Sequence, residues 1–386
     1  MPHLFSLLMS SRFLPGNFGS ASPIIKFAVA AIAFSAIAIF LAYFAMLRMR
    51  YRTYRLSKKN ARLNDIIDAH LLEHVFTMDE EGEDVSGAIA PDHVHAVLYN
   101  RLFQKRSSKQ VLVDRLIFYK KNISGRMGDQ ITELFLLLDL DKFCVRKLEA
   151  RSVEKVIQGL NEVTEMQVPV SDTLLLLLTN SRNRDVRAAA RRAYIKLSNN
   201  EPFKFFDIAT EHLLVWDQVE LFSVISSTPG LAIPNFARWI IYSPNKGVVS
   251  FCLRLIVHFN QLAAIQSVIK LLNTRDHELR SEAINALGKL KAEQAEDKLI
   301  RIYESQPRSC QVEILKALGR ISSGRHLDFL KHEFMHSSSF DIRKLAAKSL
   351  IDNEWKAEEM IKDLLNGVNG ESQLILKHCM NPLIKF

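Results

Sequence analysis

Apolar residues recur at helical spacing through most of the chain, whereas the strict alternation that is typical of strands is scarce. The longest apolar run, Phe27–Leu47, contains 21 consecutive residues without a formal charge. Because about 20 apolar helical residues cross the core of a bilayer, this run predicts one membrane-spanning helix. Apolar residues continue at roughly helical spacing after the run, which predicts that the helix extends as a stalk to about Phe76.

Basic residues are concentrated directly after this apolar run, against only Arg12 and Lys26 before it. The seven that follow within fifteen positions are Arg48, Arg50, Arg52, Arg55, Lys58, Lys59 and Arg62. By the positive-inside rule, the N-terminus is predicted outside and the long C-terminal part in the cytoplasm. Arginines rather than a small-residue cleavage site follow the run, which disfavours a cleaved signal peptide. The cluster either sets this orientation alone or also binds anionic lipid head groups at the membrane surface, at about 1 kcal/mol per cation.

An acidic stretch, Asp79–Asp84, interrupts the helical pattern, and residues 77–90 are interpreted as a linker around it. The chain is thereby divided into five predicted segments. They are a short extracytoplasmic tail (1–23), a transmembrane helix (24–47), a basic juxtamembrane helix with the acidic linker (48–90), N-terminal capping helices (91–140) and helical repeats with a C-terminal cap (141–386).

A repeat of about 31 residues occupies the C-terminal part. The triplet Ala286-Leu287-Gly288 recurs 31 residues later as Ala317-Leu318-Gly319. Equal steps backward from Leu287, and one step of 32 residues forward from Leu318, reach further apolar positions: Ile256, Ile225, Tyr194, Val163 and Leu350. One helical hairpin cannot bury its own apolar face, so each unit is predicted to be a helix pair stacked on its neighbours. Three prolines, Pro169, Pro202 and Pro234, are predicted to occupy the first position of the partner helices.

An acid, an apolar residue and an arginine occur together in three repeats. In each of them the arginine lies seven residues before the periodic position. These triplets are Asp185-Val186-Arg187, Glu278-Leu279-Arg280 and Asp341-Ile342-Arg343. This opening, followed by small residues and a closing Ala-Leu-Gly, resembles the second helix of HEAT-type repeats over roughly residues 140–360. Together with the apolar run, the resemblance implies an all-α chain in which one N-terminal transmembrane helix precedes a HEAT-like α-α superhelix, or solenoid. This layout is similar to bacterial single-pass membrane proteins with HEAT repeats, which implies the bacterial inner membrane.

The net charge of +9 comes from the start of the chain. Residues 1–64 hold nine Lys or Arg and no acid, which leaves 42 residues of each sign in residues 65–386. A neutral, membrane-tethered body disfavours nucleic acid as a partner. The four cysteines contain no CxxC pair, which fits a reducing cytoplasm and argues against disulfides or structural zinc.

No motif for nucleophilic, phosphate-binding or metal-dependent chemistry is found in the sequence. In one family of HEAT-repeat enzymes, the deoxyhypusine hydroxylases, His-Glu pairs in the second helix bind iron, and the matching positions here are Ser281 and Glu282. We therefore expect no catalytic residue, no metal, no cofactor and no small-molecule substrate. A HEAT-type lyase or hydroxylase with an unrecognised site remains an alternative.

Basic residues also recur two positions before and after six of the periodic residues, those from Tyr194 to Leu350, on the helix face turned away from the core. Seven of these twelve positions are Lys or Arg, namely Arg192, Lys196, Arg254, Lys289, Lys316, Arg320 and Lys348. In HEAT repeats the second helices line the concave surface, so the resemblance implies that these charges form one basic stripe. Such a stripe is either an ordinary solvated face or a docking site for an acidic partner.

These features together predict a non-enzymatic, membrane-anchored scaffold that holds a membrane-associated protein partner near the bilayer. By analogy, a membrane glycosyltransferase or a transport complex suits this layout. A protein that binds anionic lipid directly through its basic stripe is the other alternative.

Overall fold

The computed structural model describes residues 22–74, 103, 105–123, 125–198, 201–368, 370–381 and 383. These residues form nineteen α-helices and three short 3-10 turns, and none of them lies in a strand. The chain divides into two compact units, Met1–Leu140 and Asp141–Phe386. Most of the predicted tail, the linker 77–90 and the first part of the predicted capping helices lie outside the described residues.

Unit one contains three described helices: α1 (Pro23–His74), α2 (Arg106–Asn122) and α3 (Arg126–Leu137). Helix α1 is continuous and begins at a proline, which suits the first helical position because no partner awaits its missing N–H. The predicted continuation of the apolar helix into a stalk is therefore confirmed as far as His74. By length and composition, its stretch Lys26–Ala69 is apolar enough to cross a membrane, with a mean hydropathy of 2.4 in its most apolar window.

Among the described residues of unit one, only the last part of α1 packs against another helix. Leu63, Ile67 and Leu71 are buried there, whereas every described side chain before Leu63 is exposed. The Asp68 carboxylate accepts hydrogen bonds from the Arg115 guanidinium of α2, with Nε 2.6 Å from Oδ1, and from the Tyr119 hydroxyl at 3.0 Å. The two-pronged pair fixes the register of α1 against α2.

Unit two is a series of helix pairs in which a first helix alternates with a second helix. The first helices are α4 (Leu140–Leu148), α6 (Asp172–Thr179), α8 (Phe205–Ile208), α10 (Ala237–Tyr242), α12 (Ile265–Leu271), α14 (Glu296–Ile302), α16 (Leu327–His336) and α18 (Glu354–Gly367). The second helices are α5 (Val153–Glu165), α7 (Arg184–Leu197), α9 (Val215–Ser227), α11 (Lys246–His258), α13 (His277–Lys289), α15 (Arg308–Ile321), α17 (Phe340–Asp352) and α19 (Glu371–Met380).

The predicted period is confirmed by the packing. Each second helix contacts the next one, from α5 through α19, and most second helices also contact the first helix of their own pair. All seven periodic residues lie in second helices and are at most 3% exposed: Val163, Tyr194, Ile225, Ile256, Leu287, Leu318 and Leu350. The apolar positions therefore form one continuous core along the stack, as expected for helical repeats.

Two glycines allow neighbouring second helices to approach closely. A Cβ on Gly288 of α13 would lie 2.7 Å from the Cα of Ala317 in α15. A Cβ on Gly319 of α15 would lie 2.8 Å from the Ser349 hydroxyl oxygen in α17. In both cases the residue after one periodic position meets the residue before the next. The glycine of the Ala-Leu-Gly triplet is thus required by helix packing.

The arginine of the recurring acid-x-Arg triplet is structural in two of its three copies. Arg187 donates from Nη1 to the Ser181 carbonyl at 2.7 Å, and Arg280 donates to the Thr274 carbonyl at 2.6 Å. Each bond ties a second helix to the turn that follows its own first helix. In the third copy, Arg343 instead contacts Glu371 in the next second helix.

The predicted position of the three prolines is wrong by three residues. Pro169, Pro202 and Pro234 each lie three residues before the first residue of α6, α8 and α10. Around Pro202, the Lys204 amide donates to the Glu201 carbonyl at 3.0 Å, which places the proline at the second position of a turn. That position also favours the fixed backbone angle of proline, so the residue enters the turn instead of the helix.

Candidate docking surface on the second helices

Helix capping sets where each second helix begins and so fixes the positions of its outward side chains. Asn183, Asn245 and Asp276 each lie eleven residues before a periodic residue and accept hydrogen bonds from two backbone amides of α7, α11 and α13. Asp276 also forms an ion pair with Lys246, and hydrogen bonding from Lys246 lowers the pKa of this carboxyl. Asn or Asp at this position is a helix start signal that the sequence contains, although it is not among the features predicted above.

The seven predicted cations lie on second helices α7, α11, α13, α15 and α17, where all are exposed or half-buried. Three carboxylates, Glu220, Glu282 and Glu313, lie among them, each five residues before a periodic residue. The expected stripe of a single sign is therefore wrong, because acids alternate with the cations. We call this row of cations and acids the ionic ladder.

The ionic ladder connects consecutive second helices. Arg192 of α7 pairs with Glu220 of α9, and Arg254 of α11 faces Glu282 of α13 at 3.9 Å. At the same step of the next repeat, the Asn285 side-chain amide of α13 donates to Glu313 of α15 at 2.8 Å. A constant separation of 28 residues joins these partners, so the sequence contained a signal that a search for charge pairs at this offset would have found.

Glu313 contacts three other side chains of the ladder, those of Asn285, Lys316 and Arg320. Lys316 lies 2.8 Å from one carboxylate oxygen, and Arg320 lies 3.9 Å from the other. Burial alone would raise the pKa of Glu313, but hydrogen bonds from Lys316 and Asn285 and the charge of Arg320 outweigh it and lower this pKa. The carboxylate is therefore ionised at neutral pH and neutralises the cations around it.

Five of the seven cations have partners in the structure. Lys348 pairs with Asp352 on its own helix at 3.0 Å, and Arg192, Arg254, Lys316 and Arg320 contact the carboxylates of the ladder. Lys196 and Lys289 are exposed, and neither forms an ion pair with any residue that the structure describes. These two lysines are consequently the predicted site residues whose charge is available to a partner.

A cavity of about 490 Å³ opens between the second helices α11, α13 and α15. Its polar lining consists of Ser250, Arg254, Ser281, Glu282, Asn285, Lys289 and Glu313. The Glu282 Oε2 atom is buried and accepts no hydrogen bond from the described residues, so the lining includes an acceptor that lacks a donor. The cavity is large enough for one or two side chains of a partner. We call it the ladder cavity.

Two observations on the described residues concern metal and thiol chemistry. Ser281 and Glu282, the positions that match the iron ligands of the hydroxylase family, both line the ladder cavity. Within the described parts of the chain, no group of three or more His, Cys, Asp or Glu side chains is placed to hold a metal. All four cysteines are buried, and burial raises the pKa of Cys144 and Cys252, so these thiols stay protonated at neutral pH.

The predicted membrane-surface cluster lies on α1. All seven of its cations, from Arg48 to Arg62, are exposed. Arg55 places its guanidinium 5.3 Å from the Tyr51 ring centre, and none of the seven forms an ion pair within the described chain. Lipid contact is not tested by these observations and stays a prediction.

The geometry of unit two defines a protein of stacked helical repeats. Residues 233–310 match a family model described as HEAT repeats, which agrees with the helix pairs of this part of unit two. No curated protein matches the chain.

Two solved structures are similar to the chain over most of its length. One is the crystal structure of an engineered protein, with 14% identity and a TM-score of 0.32, covering 82% of this chain and 89% of that one. The other is the complex of CpcE and CpcF of phycocyanin lyase from Nostoc sp. PCC7120, with 11% identity and a TM-score of 0.23, covering 80% of this chain and 100% of that one. At these TM-scores neither structure carries an argument about function.

Proposed function

We propose that this chain is a non-enzymatic scaffold, anchored in a membrane by α1, whose HEAT repeats hold a protein partner next to the bilayer. HEAT repeats form helical scaffolds for protein interaction, and that coarser role follows from the family. The anchor, the scaffold role of this chain and the class of partner are the parts that we propose.

The ladder cavity is the observation that carries the proposal. It lies on the outward face of consecutive second helices, beside Lys289, which has no ion-pair partner among the described residues. A partner can supply the missing contact of Lys289, a carboxylate. Stacked helices hold the cavity and Lys289 at fixed positions, which lowers the entropic cost of docking.

The anchor explains which partners are favoured. We propose that the N-terminus lies outside and that the repeats lie in the cytoplasm, at the inner membrane of a bacterium, in accord with the cations after the apolar run. A tether in the same membrane raises the effective concentration of membrane-associated partners without any new contact. A membrane glycosyltransferase or a transport complex is a partner of this kind, by analogy only.

The orientation is tested on sealed vesicles of known sidedness that contain the full chain. In inside-out vesicles, added protease should remove the repeats, whereas in right-side-out vesicles the repeats should be protected. Release of the chain from membranes by alkaline carbonate would contradict the anchor.

The docking surface is tested by photo-crosslinking of the full chain in its native membrane. We compare a photoreactive residue at position 281 with one at position 301, since Ser281 lines the ladder cavity whereas the exposed Arg301 lies on first helix α14. The expected result is a discrete product from position 281 that K196E/K289E reduces. Equal products from both positions, or none from position 281, would contradict docking at the ladder cavity.

Lys196 and Lys289 are preferred to the paired cations for this charge reversal. Reversing Arg192, Lys316 or Arg320 would place two carboxylates side by side in the ladder and disturb the helix stack itself. The two unpaired lysines can be reversed without breaking an ion pair among the described residues. A loss of crosslinking therefore reports on the partner and not on the fold.

A further inference from the structure

The segment of α1 from Arg48 to Arg62 is a helix against which no other described part of the chain packs. It follows the apolar run and ends where Leu63 begins to pack against α2, and every residue in it is exposed. It contains seven cations and no acid, and the first acid of the chain is Asp65. An exposed helix of this kind has neither a buried apolar face nor intrahelical ion pairs to stabilise it.

Six of these cations lie on one side of the helix. At about 100° per residue, they fall within an arc of roughly 120°, while Arg50 lies on the opposite side. The six are Arg48, Arg52, Arg55, Lys58, Lys59 and Arg62, which we call the stalk stripe. Neighbours within the stripe are three or four residues apart, a spacing at which like charges destabilise a helix. Negative charge placed next to the stripe, outside the helix, would therefore stabilise it.

The face of α1 that contacts α2 does not cover the stripe. By the same helical geometry, Leu63, Ile67 and Leu71 are centred about 120° away from the stripe. Asp68, which pairs with Arg115 of α2, lies still further round the helix. The stripe thus remains open along its whole length within the described part of unit one.

Lipid head groups reach only the first part of the stripe. At about 1.5 Å per residue, Arg48 and Arg52 lie within about 8 Å of the end of the apolar run at Leu47, a depth similar to that of the head-group layer. Lys58, Lys59 and Arg62 lie roughly 16–23 Å beyond that end. This exceeds the head-group layer plus one screening length of about 8 Å, even for a helix that is tilted by about 20°.

We propose that the distal stalk stripe, Lys58, Lys59 and Arg62, is a docking surface for an acidic helix of another membrane-anchored protein that runs alongside α1. These cations span about 6 Å in steps of three and four residues, which matches acids at the same spacing on a parallel helix. A second copy of this chain does not fit, because in the same membrane it would bring the same cations to the same height. The proposal rests on the membrane anchor that is part of the proposed function.

The test uses the full chain in nanodiscs of phosphatidylcholine. The probe is a synthetic helix with an N-terminal lipid anchor and glutamates on one side, compared with a peptide of equal composition whose glutamates are spread around the helix. We expect the one-sided peptide to bind about tenfold more tightly, since three surface ion pairs together give roughly one factor of ten. The variant K58E/K59E/R62E should abolish this preference.

A matched variant controls for general charge effects. K105E/R106E/K109E reverses three cations at the start of α2 in the same unit and should leave the preference intact. Equal binding of the two peptides, or an equal loss in both variants, overturns the proposal. A chain that does not insert into the nanodiscs at all contradicts the anchor as well, so the two failures are distinguishable.

Lipid is tested as the competing occupant. A fluorescent probe on Lys59→Cys, at an exposed position within the distal stripe, reports whether the stripe lies in water or among head groups. We expect no change in its accessibility to an aqueous quencher when phosphatidylserine is added to the nanodiscs. Shielding of the probe by phosphatidylserine would show that lipid covers the stripe, and this would overturn the proposal.

A neutral variant separates docking from helix stability. K58Q/K59Q/R62Q removes the repulsion within the stripe, so amide exchange across residues 55–62 should become slower. The same variant should lose the preference for the one-sided peptide. Faster exchange together with weaker binding would indicate that the cations stabilise α1 itself, and this outcome counts against docking.

Discussion

The close contact between second helices can be tested with one methyl group at Gly288. In Gly288→Ala the new Cβ would lie 2.7 Å from the Cα and 2.9 Å from the Cβ of Ala317. Carbon atoms pack favourably at about 3.5–4.0 Å, so α13 and α15 must separate by about 1 Å. Overpacking of this size typically costs about 1–3 kcal/mol, whereas alanine in a helix gains up to about 1 kcal/mol over glycine.

The same substitution at Gly367 isolates the cost of this contact. Gly367 is the last residue of α18, and a Cβ there would have no neighbour within 4 Å. Gly367→Ala should therefore keep or raise the stability, and Gly288→Ala should be less stable than Gly367→Ala by about 1–3 kcal/mol. For a unit of this size, that difference lowers the melting temperature by roughly 2–10 °C.

The assay is thermal and urea unfolding of the full chain in detergent, followed by far-UV circular dichroism. A double variant, Gly288→Ala with Ala317→Gly, should recover little stability, because the closest atom is the backbone Cα of residue 317. If Gly288→Ala is as stable as Gly367→Ala, the helices do not approach as closely as the structure shows. Full recovery in the double variant would point instead to a side-chain clash.

Three further predictions concern ion pairs and hydrogen bonds of the fold. Because the folded-state pKa of Glu313 lies below its unfolded value of about 4.3, its ionised form adds stability that is lost as pH falls through the folded-state pKa. Glu313→Gln should therefore flatten the loss of the urea midpoint in acid. Arg280→Gln removes the bond to the Thr274 carbonyl and should cost about 1–3 kcal/mol, seen as faster amide exchange at the start of α13. Asp68→Asn weakens the pair with Arg115 and should speed amide exchange in the last part of α1.

Matched substitutions control for each of these three changes. Glu304, Arg275 and Asp65 are exposed, and the structure shows no ion pair for them with described residues, so Glu304→Gln, Arg275→Gln and Asp65→Asn should have little effect. An unchanged acid profile in Glu313→Gln would mean that this carboxylate is solvated. Amide exchange rates that change equally in a variant and its control would show that the assigned bonds do not stabilise the fold.

The repeat was predictable because it depends on burial, which leaves a periodic trace in the sequence. Leu287 and Leu318 are both buried, and the interval between them recurs along the chain. The sequence shows Gly288 as part of a motif, but it does not show why glycine is needed there. A single sequence does not reveal which residue of the next helix lies against it. Ala317 supplies that reason in the structure.

The ladder was missed because our prediction considered each helix alone. Outward positions were taken two residues on either side of the periodic residue, which selects cations such as Arg192 and Arg254. Glu220 and Glu282 lie at another outward position, three residues earlier in the next helix, and they become neighbours only when the helices stack. A charge on one helix therefore has to be read together with its partner one repeat later.

The two basic regions of the chain consequently differ in how partners would bind them. In the ladder, cations such as Arg192 already have carboxylate partners, so an incoming acid gains mainly from Lys196 and Lys289. Docking there should depend on shape and hydrogen bonds, and only weakly on salt. In the stalk stripe no cation has a carboxylate partner within the described chain, so docking should weaken strongly as salt rises from about 0.05 M to 0.5 M. Equal salt dependence at the two surfaces would show that the ladder pairs do not neutralise the second helices.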